Sequence, residues 1–162
     1  MSIFMKYGDI EGEVSDSWHA GWIDVDDITW GVRRRITSKP STRQDRESAN
    51  AEVSDLTLTR RMDQASPALF LRACCGKGES LILHLTKTGP GEGSHTYMEY
   101  VLSEALVSFY DVDAHAQSDT RPTEQITISF TGLDLKYTPY DDDNDPMASV
   151  AVGFDTTRNI KK

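Results

Sequence analysis

The sequence predicts a mainly β domain carrying one helix. Three observations lead there. Most ordered-looking stretches alternate apolar and polar residues with the period of two that a half-buried strand needs. Gly, Asp, Asn and Pro punctuate them at turn spacing. Only the stretch around Ser66–Gly76 carries helix start and stop signals.

Taken in order, Ile3–Tyr7 reads as a short opening strand closed by the turn Gly8-Asp9. Trp22–Val32 reads as a longer strand. Val53–Met62 alternates, with Leu56, Leu58 and Met62 on one side and Asp55, Thr57, Thr59 and Arg61 on the other. Leu81, Leu83 and Leu85 give another inward face, with His84 between them turned outward or against a neighbour. Tyr97–Tyr110 is a long apolar-rich run, read as two strands or one bent strand. In Gln125–Tyr137 the apolar phase slips by one residue after Thr131-Gly132, the mark of a β-bulge. Val150, Val152 and Phe154 close the set.

The helix spans about 66–75, with Ser66 as N-cap, Pro67 at the first helical position and Gly76 just past the end. Only Arg72 is strongly polar inside it. A helix apolar nearly all round is buried on more than one side. One small β domain covers one side of a peripheral helix, so a second copy of the chain is the natural cover for the other. The adjacent Cys74 and Cys75 point in different directions on a helix and do not form an ordinary disulfide. They read as small buried apolar residues.

At 162 residues the chain reads as one domain, 1–162, able to bury its own core without staples. No apolar run reaches the roughly 20 residues of a membrane helix, and the N-terminus lacks a secretory leader. The expectation is synthesis in the cytoplasm, no membrane insertion, and export only through a dedicated machine. The net charge of −9 argues against nucleic acid. Arg33-Arg34-Arg35 lacks the interleaved aromatics of a base-stacking surface. Charge is segregated: residues 1–32 hold one Lys against seven acids, 33–62 hold eight basic residues against four acids, and 100–145 hold two against ten. This reads either as solvated faces or as self-complementarity between copies.

The search for chemistry finds no site. Asp141, Asp143 and Asp145 have calcium-loop spacing, but Pro146 stands where Gly is needed and Val152 where the bidentate Glu belongs. An exposed acidic turn is the simpler reading. His19, His84, His95 and His115 have no ligand-like spacing. No nucleophile elbow marks a triad. Gly89-Pro90-Gly91-Glu92-Gly93 lacks the Lys-Ser/Thr ending of a phosphate loop and serves as a hairpin turn. The chain is expected to bind no cofactor or metal and to catalyse no reaction.

Several stretches in order resemble the Hcp (hemolysin-coregulated protein) family. Ile3-Phe4-Met5-Lys6-Tyr7 followed by Gly8-Asp9-Ile10-Glu11-Gly12-Glu13 resembles its opening strand and Gly-Asp-x-x-Gly-Glu turn. His19, Ile23-Asp24-Val25 and Trp30-Gly31 resemble its second strand. Val53–Asp63 with Ser66-Pro67 and Leu69 resembles the passage into its helix. Tyr100-Val101-Leu102, Val107-Ser108, Gln125–Phe130 and Gly153-Phe154-Asp155 continue the pattern to the end.

The resemblance implies a compact β-barrel of two packed antiparallel sheets with the helix on its flank, a fold shared with phage tail tubes. It implies a homohexamer whose rings stack head to tail into the inner tube of a type VI secretion system. Implied partners are a contractile sheath, a baseplate, a trimeric VgrG-type spike and effector proteins carried in the lumen. The polar Thr37–Ala51 segment, long for a hairpin loop, corresponds to the family's ring-contacting loop, with Lys39, Arg43, Asp45, Arg46 and Glu47 as its charged residues. The helix, through Leu69, Leu71, Arg72 and Cys75, corresponds to a subunit boundary. Relatives with Gly-rich loops differ here, and the toxin domain that some carry after the core is not expected. A phage tail tube protein is the nearest alternative, and a monomeric β-sandwich binding module or small hydrolase a more distant one.

Overall fold

A computed structural model describes residues 1–36, 49–89 and 93–162. The strands are β1 (Ser2–Tyr7), β2 (Ile23–Val25), β3 (Asp27–Thr29), β4 (Val32–Arg34), β5 (Ala51–Val53) and β6 (Leu56–Arg61). After the helix α1 (Ser66–Cys75) come β7 (Glu79–Thr88), β8 (Ser94–Asp113), β9 (Thr123–Ser129), β10 (Gly132–Tyr137), β11 (Val150–Asp155) and β12 (Ile160–Lys161).

Two antiparallel sheets share one strand. The larger runs β12-β11-β10-β8-β7-β1-β2, and the smaller runs β8-β9-β6-β3. The N-terminal half of β8 pairs with β7 and β10, and its C-terminal half pairs with β9. Glu104, between the halves, has a φ of 51°, a left-handed conformation costly for a side chain with a Cβ. That residue turns the strand from one sheet into the other. The long apolar run is thus one bent strand.

The inner faces close over a common core. Ile3, Met5, Tyr7, Leu81, Leu83 and Leu102 of the larger sheet meet Leu56, Leu58, Val107, Ile126 and Ile128 of the smaller. These alternate positions follow the period of two seen in the sequence. The Tyr7 hydroxyl donates to the Ala105 carbonyl at 2.9 Å, so the polar end of this fully buried aromatic is bonded. The result is the expected pair of packed sheets with one flanking helix. The β12 and β3 edges do not pair, so the barrel is not closed.

Four sequence expectations need correction. Trp22–Val32 is not one strand but three short ones. β2 pairs with β1 in the larger sheet, Asp26 N–H bonds the Thr59 carbonyl at 2.9 Å, and β3 then pairs with β6 in the smaller. The chain turns a corner there, which breaks the ladder. The slip at Thr131-Gly132 is not a bulge, because β9 ends at Ser129 and β10 starts a new pairing in the other sheet. Ser66 is not the N-cap: its hydroxyl turns back to accept from the Asp63 N–H (3.0 Å) and from Arg60 Nη1 (3.3 Å). Cys74 and Cys75 are exposed rather than buried.

β4 and β5 form a separate two-stranded ribbon. It leads into residues 37–48, so Lys39, Arg43, Asp45, Arg46 and Glu47 lie outside the described residues.

Candidate assembly surface

The helix is the element with the clearest division of faces. Leu69 is fully buried, with Ala65 and Ser66 beside it. On the far side Phe70 and Leu71 are 53% and 58% exposed, and Pro67, Cys74 and Cys75 are exposed too. Positions 67, 70, 71, 74 and 75 fall at the three- and four-residue spacings that share one side of a helix. The chain therefore presents an unbroken apolar strip and buries the opposite strip in its own core.

Three sets of bonds hold that helix in place. Leu69 fills the core. Arg72 bonds Asp9 Oδ1 at 2.9 Å and Glu79 Oε1 at 2.6 Å, with its guanidinium 5.8 Å from the Tyr7 ring centre. The Glu79 hydrogen bond comes first among the effects that raise the Arg72 pKa, with the charges of Glu79 and Asp9 adding to it. At the N-terminal end, Arg60 is wholly buried and pairs with Asp63 and with the equally buried Glu124. The Tyr110 hydroxyl donates to the other Glu124 oxygen. Burial first, and then Glu124, push the Tyr110 pKa up, so the hydroxyl stays protonated as a donor. The Phe70 ring meets the Tyr110 ring edge-on at 5.9 Å.

The sequence-derived helix residues thus divide. Leu69 has no surface left for a neighbour. Arg72 is engaged with its own chain. Leu71 and Cys75 remain on the outward strip. Phe70 and Cys74 belong with them and were missed, although their spacing from Pro67 and Leu71 carried the signal. Covering two half-exposed side chains of this size stabilises by about 1–1.5 kcal/mol each.

At the start of the basic segment, Arg33, Arg34 and Arg35 are exposed, whereas Arg60 near its end is buried. Arg33 pairs across the ribbon with Glu52 at 3.0 Å, with both side chains more than half exposed. Such a pair contributes little to stability. Asp111, Asp113, Asp141, Asp142 and Asp143 are exposed on other elements. The Asp141 run is a turn in which Asp141 Oδ1 accepts the Asp143 and Asp145 N–H groups at 3.0 and 2.8 Å, and Lys87 Nζ donates to Asn144 Oδ1 at 2.9 Å. Asn144 sits at a φ of 64°. That carboxylate is occupied by the backbone.

The family model described as "Type VI secretion system effector, Hcp" matches residues 4–137. Protein hcp1 of Pseudomonas aeruginosa is 26% identical over 162 residues, covering 99% of this chain and 98% of the relative. Among solved structures, a type six secretion system protein superimposes with a TM-score of 0.89 at 25% identity over 99% of both chains. Hcp1 from Salmonella typhimurium superimposes with a TM-score of 0.78 at 21% identity, covering 99% of this chain and 98% of that one.

Proposed function

The chain belongs to the Hcp family of type VI secretion proteins, and on that premise we propose that it is a structural subunit of the inner tube. Six copies close into a ring, and rings stack head to tail into a hollow tube. Contraction of a surrounding sheath drives the tube outward under a VgrG-type spike, with effectors in its lumen. The subunit's part is mechanical: it supplies a rigid wall and two interfaces.

One observation carries the reading. The outward strip of α1, with Phe70 and Leu71 more than half exposed, is the apolar surface of a helix whose other side is already satisfied. Apolar strips rimmed by polar groups mark interaction sites. In a closed ring each subunit offers the strip to a neighbour, and a repeated heterologous contact of this kind closes when its rotation divides the circle. The displayed basic ribbon, opposed by acidic surface elsewhere, supports stacking of one ring on the next. Lys39, Arg43, Asp45, Arg46 and Glu47 lie in the segment that the ribbon carries and are proposed for the ring-to-ring contact.

Sedimentation equilibrium of the purified protein tests this. The expected species has six times the 18.1 kDa chain mass and forms larger polymers of that unit as concentration rises. A single 18 kDa species throughout the micromolar range contradicts it.

A further inference from the structure

Away from the helix, the fold joins two histidines that the sequence holds far apart. His19 lies in the segment between β1 and β2, and His84 lies on β7. His19 Nε2 and His84 Nδ1 face each other at 2.9 Å. The Thr96 hydroxyl, from β8, stands 3.4 Å from the first nitrogen and 3.2 Å from the second. Three donor atoms from three parts of the chain therefore meet within 3.4 Å of one another.

Each imidazole is also held from behind. His19 Nδ1 is 2.9 Å from Asp16 Oδ1, and His84 Nε2 is 2.8 Å from Glu99 Oε2. A carboxylate only accepts, so both bonds draw the ring proton to the outer nitrogen. In the neutral pair this leaves a lone pair on each inner nitrogen, and the two converge. The Thr96 hydroxyl has one proton to give, whereas a cation between the rings satisfies both lone pairs. A carboxylate behind an imidazole is also the arrangement that orients metal-ligating histidines and raises their basicity. Burial, the largest effect, lowers the His84 pKa below its ordinary 6.5 against the pull of Glu99. At neutral pH that ring is therefore in the unprotonated form that a metal needs.

The surroundings suit an ion on one side and shield it on the other. His19 is almost wholly buried. The Phe4 ring lies 4.7 Å from His19, and the Trp22 ring lies 5.0 Å from His19 and 4.7 Å from His84. The opposite side opens into a cavity of about 350 Å³ lined by Trp18, Ser94, His95, Thr96 and Tyr140. That is room for an ion and several waters at about 30 Å³ each, and it supplies the way in. Among the described residues no group of three His, Cys, Asp or Glu side chains is placed to share a metal. Here the third protein ligand is a hydroxyl.

We propose that His19, His84 and Thr96 form a binding site for a divalent first-row transition ion, zinc above all, completed by water from the cavity. Imidazole nitrogens suit this class of ion, whereas calcium and magnesium take oxygen ligands. Tetrahedral zinc with Zn–N of about 2.0–2.1 Å holds its ligands about 3.3–3.4 Å apart. The Thr96 hydroxyl already stands near that spacing from both nitrogens. The two nitrogens need to part by about 0.4 Å, which a small rotation of either ring provides. The bound ion ties the segment before β2 to β7 and β8. The inference concerns one chain and does not rest on ring formation.

Calorimetric titration of the intact protein with zinc chloride, after alkylation of the exposed Cys74 and Cys75, tests the site. One ion per chain, saturating in the micromolar range, is expected. His19→Gln and His84→Gln should each weaken binding by at least ~10-fold, and Asp16→Asn by ~10–100-fold, the usual cost of losing the carboxylate behind a ligating imidazole. His115→Gln, at an exposed ring paired with Asp113, should bind as the wild type does. No saturable binding up to millimolar zinc, or binding that His19→Gln or His84→Gln leaves unaltered, overturns the proposal. Should those variants fold poorly, histidine-selective 15N spectra of the wild type with added zinc decide. Zinc should move the His19 Nε2 and His84 Nδ1 signals most. A shift confined to His95 or His115 refutes the site.

Discussion

Replacing Arg60 with Leu removes the buried cation that pairs with Asp63 and Glu124. Arg60 and Glu124 are both fully buried, and Asp63 is nearly so. In the variant Glu124 keeps the Tyr110 hydroxyl but loses its counter-charge. Ser66 and Asp63 lose the guanidinium that ties the start of α1 to β6. Breaking a buried pair from one side costs about 3–5 kcal/mol, because the remaining charge stays desolvated. For a domain of this size that lowers Tm by about 2–4 °C per kcal/mol, or about 6–20 °C in total. Urea unfolding followed by far-UV circular dichroism measures it, at one protomer concentration because assembly shifts apparent stability. The paired variant Arg60→Leu with Glu124→Leu removes both charges and should recover at least half of the loss. A single variant within about 1 kcal/mol of wild type refutes the reasoning. So does a double variant no better than the sum of the two singles, because either result means that the charges are not desolvated together.

Three further outcomes are expected. Leu71→Asp, and separately Cys75→Asp, should convert rings to monomers in sedimentation while changing the monomer's unfolding by less than about 1 kcal/mol, since both side chains are exposed in the single chain; unchanged rings sink the outward-strip assignment. Deleting Arg43–Ser48 should shorten stacked polymers and leave single rings intact, and the appearance of monomers in their place would move that segment from stacking to ring closure. Gly12→Ala should destabilise by ~1–3 kcal/mol in thermal melts, because a Cβ there runs into the Trp22 carbonyl and lies 2.7 Å from the Ile23 Cα; a melt equal to wild type would mean that this backbone shifts freely.

Local pattern carried most of the fold. Alternation in Leu56–Leu58, Leu81–Leu83 and Ile126–Ile128 put the right residues inside, because a strand with one buried face has no other way to arrange them. Alternation places Arg60 on the face of Leu56 and Leu58, but its charge gives no sign that the position is buried. Its two carboxylate partners, Asp63 and Glu124, settle the matter, and one of them lies 64 residues away. Where the chain changes sheets, at Asp26, Glu104 and Thr131, the sequence reads as a continuous strand or a bulge, since the hydrophobic pattern does not record which strand is the partner. The helix's two-sided apolar character was legible, but not which side was already satisfied. That depends on Leu69 meeting strands far along the chain. The contact of His19 with His84, whose ring nitrogens lie 2.9 Å apart across a sequence separation of 65, was invisible for the same reason.

The central claim is that the chain is a ring-forming tube subunit, and negative-stain electron microscopy of the purified wild-type protein tests it most directly. The account predicts closed rings with six-fold symmetry in class averages, seen end-on singly and side-on in stacks. Monomeric particles at every concentration tried, or rings of another symmetry, would contradict it.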